Sequence, residues 1–283
     1  MAVMANVGIA LRQITVGRLG GVTLNRTVRV WVYRLLSIGA AYLLWDLSTG
    51  GLGLGWRAWA SVILASPSDT FASLGAYSAS GLMGCDVTQT LLSALYGLVL
   101  AIICGVVFGV GFAYVRIIGQ TLEPIFSALN SLPRLAIAPL LIVWFGLGIE
   151  SKVALVWFTI VFIIYFNTYL GVRNLDPELV RAVRVMGGNG YHLARMVLLP
   201  SVLSWIFAAL RTSVAFSLAI AVTGEFVGST AGIGYRLVIA TGVLDTPRVF
   251  AIIFLLMAIG FVLVQVTERI ERYLLRWRPE AIS

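Results

Sequence analysis

The chain has 283 residues, 60% of them hydrophobic and 11% charged, with a mean hydropathy of +0.98. A water-soluble domain carries about 25% charged residues, so this surface is matched to lipid and a soluble globular fold is excluded. The net charge of +8 does not mark a nucleic-acid binder, because the arginines flank apolar runs and do not gather on one polar face.

In chain order, Val3 to Leu11 is weakly apolar, but its first basic residue, Arg12, follows the run. A signal peptide carries its charge before the apolar region, so residues 1–29 read as a cytoplasmic tail. A bilayer core needs about 20 helical residues. Six apolar stretches are candidates, at 30–49, 88–114, 134–149, 152–171, 203–224 and 249–268. Between the first two, glycines at 50, 51, 53 and 55 predict a turn, and Trp56 and Trp59 suit a membrane–water interface. Ser66-Pro67-Ser68-Asp69 reads as the start of a short surface helix, with Ser or Asp as its N-cap. The third stretch is short for a span. An amphipathic piece, Gln120–Leu132, precedes it and ends at Pro133, so an interfacial helix, a break and a membrane helix are expected. Residues 273–283 read as a cytoplasmic tail. No Pro/Ser-rich linker divides the chain, and one all-α bundle of about six transmembrane helices is the expected fold over 30–272.

Cys85 and Cys104, if they share one helix, stand about 28 Å apart at its rise per residue, too far to bridge. One histidine and two cysteines cannot make a four-ligand zinc site. Gly105-Val-Val-Phe-Gly109 has the spacing that lets membrane helices approach closely.

Basic residues orient the bundle. With the N-terminus inside, fourteen arginines fall on the cytoplasmic side, among them Arg12, Arg18, Arg173, Arg181 and Arg272. Arg57, Lys152, Arg236 and Arg248 fall opposite. That bias places both termini in the cytoplasm of a multi-pass inner-membrane protein.

The longest cytoplasmic loop is Arg173–Pro200, RNLDPELVRAVRVMGGNGYHLARMVLLP. Asp176-Pro177 reads as an N-cap and first-turn proline. A helix over 177–186, a break at Gly187–Gly190 and a second short helix over 191–199 are expected, with Pro200 closing the loop. The loop resembles the EAA loop of bacterial ABC importer permeases. The equivalent positions are Arg181-Ala182-Val183, Gly187, Val197 and Leu199-Pro200, with the spacing kept, arginine in place of the first glutamate and valine in place of the second alanine. Ser131–Gly148, Ser151-Lys152, Phe166–Gly171, Gly224-Glu225-Phe226 and Gly232-Ile-Gly-Tyr235 are similar to the nitrate/sulfonate/taurine subgroup, over roughly residues 65–272 in all.

The resemblance implies that the loop docks on a separate ATPase subunit, and that an external solute-binding protein delivers a small, often anionic solute. His192 then reads as a subunit contact. The single lysine, Lys152, follows Ser151 and cannot form the Gly-Lys-Ser/Thr of a P-loop. ATP and Mg are therefore expected on the partner ATPase, with no cofactor on this chain, and six spans read as half of a symmetric homodimeric channel. Polar residues inside spans are pathway candidates: Arg134 after the Pro133 break, Asn167, Arg211, able to pair with Glu225 or a carbonyl, and Glu225 itself. Asn167, deep in the fourth span, more often makes a helix–helix hydrogen bond than touches a solute. The competing reading is an ion-coupled secondary transporter, for which Glu225 is the one plausible ion-coupling acid. A membrane-embedded enzyme finds no metal cluster or nucleophile–histidine pair to support it.

Overall fold

The computed structural model describes residues 26–49 and 63–274. The expected glycine turn at 50–55, Trp56, Trp59 and nearly all of both tails lie outside them. The chain divides into two units, Met1–Arg57 and Ala58–Ser283. In the first, α1 (Arg26–Ser48) is an apolar helix whose window Val30–Ser48 is long enough to cross a membrane.

The second unit is built of helices. α2 (Pro67–Ala79) starts as expected: Ser66 Oγ accepts the Asp69 amide at 3.1 Å, with Pro67 in the first turn. After Gly81, α3 (Leu82–Tyr114) runs 33 residues and holds both cysteines, which are free. It begins six residues before the apolar run that marks it in the sequence. α4 (Arg116–Asn130) and α5 (Arg134–Phe145) meet at 92° across Ser131–Pro133. At 12 residues α5 is about 18 Å long, too short to cross a bilayer core. The stretch expected at 134–149 is therefore not a span by itself. Gly146, at φ +81°, ends it and a turn leads to α6 (Ile149–Arg173). Then come α7 (Pro177–Val185), α8 (Gly190–Leu193), a π turn at Ala194–Leu198 and α9 (Leu199–Val227). The last elements are α10 (Ile233–Gly242) and α11 (Thr246–Leu274). Among the described residues, five helical segments are long and apolar enough to span, or six if the bent α4–α5 pair counts as one.

α3 and α6 form the most extensive helix pair, and α9 packs on both. The reason lies in a four-residue repeat of small residues on α3: Gly97, Ala101, Gly105 and Gly109. A Cβ on Gly97 would stand 2.5 Å from Val156 Cβ, one on Gly105 2.8 Å from Ile164 Cβ, and one on Gly109 2.6 Å from Thr168 Cβ. The helices touch backbone to side chain, which is how association proceeds where lipid removes the hydrophobic drive. The outward faces carry exposed Ile103 and Val107 on α3 and Met257 and Phe261 on α11, as lipid contact requires. α4 is held by Phe126, whose ring sits 4.7 Å from Tyr165 and 5.1 Å from Phe112. At its polar edge, Tyr169 Oη donates to Glu123 at 3.2 Å and accepts from Arg173 at 2.8 Å.

Candidate functional site

The knob between α6 and α9 is assembled by local capping. Asp176 Oδ1 accepts the Glu178 amide at 2.8 Å, and Pro177 opens α7. The chain then reverses: Gly187 N donates to Arg184 O at 3.0 Å and Gly188 N to Val183 O at 2.9 Å. The two glycines serve different ends. Gly187 has φ +78° and open space around a would-be Cβ, so its requirement is conformational. A Cβ on Gly188 would lie 2.5 Å from Val183 Cγ1, so its requirement is steric. Asn189 Oδ1 accepts the His192 amide at 3.0 Å and restarts the helix.

The second half of the knob differs from expectation. The second short helix does not end at Leu199: α8 passes through the π turn into α9, with Pro200 in its first turn. Proline has no N–H for the residue four back and its ring clashes with that carbonyl. The wider π turn just before it relieves both problems. The knob is thus a direct extension of a membrane helix.

Of the expected coupling residues, Val197 is buried, Val183 and Pro200 are half-buried, and Arg181, Ala182, Gly187 and Leu199 are exposed. Arg181 Nε donates to Pro177 O at 3.2 Å within its own helix. The tip presents Leu179, Val185 (88% exposed) and Met186 (86%), and α7 has no buried residue. An apolar tip on a rigid mount is the form of a protein-docking surface.

The four pathway candidates are not brought together. Arg134 is the first residue of α5 and half-buried. Asn167 gives its amide to Ile163 O at 2.8 Å, a bond within α6 and not the helix–helix bond the sequence suggests. Arg211 does not pair with Glu225. It pairs with Glu271 of α11, Nη2 to Oε2 2.7 Å. Glu225 lies 14 residues along α9, about 21 Å away at the helical rise.

Glu225 sits in a polar cluster at the end of α9 remote from the knob, and is 2% exposed. It accepts from Thr90 Oγ1 at 2.8 Å and from the Gly234 amide at 2.7 Å. Thr90 Oγ1 also lies 3.0 Å from the Asp86 carbonyl, so its single proton has acceptors on both sides. Its lone pair takes the Ile233 amide at 3.0 Å. Asp86, one turn earlier on α3 and also 2% exposed, accepts from Gly232 N (3.0 Å), Tyr77 Oη (2.8 Å) and Arg236 Nε (2.7 Å). Burial, and then the bond to Asp86, push the Tyr77 hydroxyl well above its ordinary pKa, so it stays a donor. The Asp86 hydrogen bond raises the Arg236 pKa further.

Lys152, assigned to the outer aqueous side by the charge count, is buried instead. Its Nζ donates to the carbonyls of Leu147 and Gly148, and it interacts electrostatically with Glu225. Asp86 and Tyr77 lie outside the span that the sequence predicts from 88, and Thr90, just inside it, carries no charge to mark it as a candidate. The available signal was an acid and a threonine one turn apart at the mouth of an apolar helix.

A bundle of apolar helices with a short bent pair, and a rigid apolar-tipped knob built onto one end, defines a membrane transport permease. Residues 97–276 match the family described as binding-protein-dependent transport system inner membrane component. The chain belongs to that family and is a permease component of an ABC importer. It is 34% identical to the riboflavin transport system permease protein RibX of Chloroflexus aurantiacus, over 76% of this chain and 80% of that protein. It is 30% identical to an aliphatic sulfonates transport permease protein, SsuC, of Escherichia coli (89% and 95%). It is 28% identical to the taurine transport system permease protein TauC of the same organism (71% and 74%). A chain of the MetNI methionine ABC transporter, in an inward-facing conformation, superposes with a TM-score of 0.58 at 19% identity, over 68% of this chain and 95% of that one, a likeness of fold. These findings favour the importer permease over the secondary transporter.

Proposed function

We propose that this chain forms half of a translocation path for a small anionic solute, completed by a second copy and driven by two separate ATPase subunits that carry ATP and Mg. An extracytoplasmic binding protein delivers the solute, the knob lies in the cytoplasm, and both termini lie on that side. The observation that carries the reading is the knob. Val185 and Met186 are exposed on a capped helix whose partner segment continues without interruption into α9. A displacement at the tip is therefore delivered to a membrane helix as a rigid-body motion. Arg181, Ala182, Val183, Gly187, Val197, Leu199 and Pro200 are the residues that shape or present this surface.

The anionic preference rests on Arg134. A helix N-terminus carries positive partial charge, and the guanidinium adds to it at the first residue of α5. Two copies across a dimer axis would make a positive focus on the path. Sulfonates, taurine and riboflavin are named for the relatives. Taurine and nitrate are the probes of choice for this chain.

The test is affinity purification of the tagged permease from membranes that also hold its ATPase and binding protein, followed by reconstitution in liposomes. Co-purification of a soluble ATPase and ATP-dependent uptake are expected. Recovery of the permease alone, with uptake driven by an ion gradient, would overturn the proposal.

A further inference from the structure

The polar cluster at the end of the bundle remote from the knob has a geometry that packing alone does not explain. α10 is ten residues long, too short to span, and it is placed against α9, α11 and α3. A helix start leaves its first amides without partners in the helix. Here the three consecutive amides of Gly232, Ile233 and Gly234 are each taken by a side chain from another helix: Asp86 and Thr90 of α3 and Glu225 of α9. Thr90 joins the two sets, since it also donates to Glu225. Arg236, one turn into α10, returns to Asp86 and closes the ring.

The glycines of the Gly-Ile-Gly segment are what allow this approach. A Cβ on Gly232 would collide with the Glu225 carboxylate, and one on Gly234 would stand 2.6 Å from Val222 O and 2.8 Å from Glu225 Cβ. Gly232 also adopts φ +107°, a conformation that side chains disfavour. Two carboxylates at 2% exposure are costly to bury, although α10 already buries Ile233 and Leu237 in an apolar cluster. A buried, fully hydrogen-bonded ring of this kind specifies one placement more sharply than apolar contact does.

We propose that Asp86, Thr90 and Glu225 are a clasp that fixes α10 to α3 and α9 as one rigid body across the bundle end remote from the knob, and that they are positioning residues for transport. On this view α10 follows those two spans when the knob moves them and does not swing by itself. The inference rests on the permease reading for its link to transport, but the clasp is measurable on the permease alone.

The experiment uses paired spin labels on the full chain in lipid nanodiscs, in a Cys85→Ala, Cys104→Ala background. One pair, at Leu82 and Val243, reports α10 against α3. A second pair, at Val107 and Leu170, reports the α3–α6 pair and controls for the fold; all four positions are exposed. The unsubstituted clasp should give a narrow distance distribution for both pairs. Thr90→Val removes the hydroxyl at nearly constant volume. It should broaden the first pair at least two-fold, leave the second unchanged, and lower ATP-dependent uptake in the reconstituted complex at least ten-fold. Thr90→Ser, which keeps the hydroxyl, should restore all three readings. Asp86→Asn is the second variant, and it should broaden the first pair without altering the second. A narrow first pair in both variants would overturn the clasp. A broad first pair with unimpaired uptake would overturn its role in transport. Failure of the unsubstituted complex to take up any probe with ATP would count against the permease reading and leave the label distances to judge the clasp.

Discussion

At Gly187 and Gly188 the same residue type answers two different demands, and the difference is measurable. Gly187 needs only its positive φ, which a side chain opposes by roughly 1–2 kcal/mol, more for a β-branched one. Gly187→Val should strain the reversal between α7 and α8 while the membrane bundle stays folded. Transport should fall several-fold relative to ATP hydrolysis, read as the ratio of solute moved to ATP consumed in liposomes. An unchanged ratio would show that the turn does not transmit the stroke. Arg134 poses a question of charge: a guanidinium at the positive end of a helix is doubly disfavoured unless water, a carboxylate or an anion balances it. Arg134→Gln keeps most of the volume and should slow nitrate and taurine uptake with the binding protein saturating, while ATPase docking measured by co-purification stays intact. Wild-type uptake would show that the side chain only reaches for lipid headgroups. Both arguments start from residues visible in the sequence. Glu225 was a candidate from the sequence, but Asp86 and Thr90 were not, because they acquire meaning only from Gly232–Gly234, which stand more than a hundred positions away.

Among the elements, the α3–α6 pair carries the bundle, and its glycine repeat is a prediction in itself. Gly105 faces Ile164 with no room for a Cβ, and overpacking of a close interface costs about 1–3 kcal/mol, at times more. Gly105→Leu should lower the melting temperature of the detergent-solubilised permease by several degrees and reduce its yield. Gly111→Leu on the same helix, where a Cβ meets open space, should do neither. Equal losses at both positions would assign the effect to glycine flexibility. Helix existence was legible for every long apolar run, and the helix start at Ser66–Asp69 and the N-cap at Asp176 were legible because capping is a local matter. The extent of α5 was not. A proline, an apolar run and a glycine pair look alike whether the run crosses the bilayer or turns back after 12 residues, and α10 was hidden in what reads as a glycine-rich turn. Pro200 misled for the same reason: proline ends most helices, but a π turn ahead of it lets this one continue.

For the whole molecule, the knob and α10 lie at opposite ends of the bundle, since α9 joins the knob at Leu199 and reaches the clasp at Glu225. A cysteine at Val185 and one at Val243 therefore test whether these ends face opposite sides of the membrane, and both positions are exposed. In the Cys85→Ala, Cys104→Ala background, an impermeant maleimide added to intact cells should label position 243 and spare 185 until the membrane is opened. Labelling of 185 alone would invert the topology and remove the knob from the reach of a cytoplasmic ATPase.

The sequence by itself determined that this chain lives in lipid and that a capped knob of fixed spacing sits between two spans. Composition needs no folded partner to be read, and local capping is carried by residues close together in the chain. Only the tertiary structure decided which polar residues meet. It gave Arg211 to Glu271 and buried Lys152 under the carbonyls of Leu147 and Gly148. It brought Asp86 and Glu225, 139 positions apart in number (225 − 86), onto one short helix start. A buried charge must find a partner wherever the packing of helices places one, and that choice is made by the bundle as a whole.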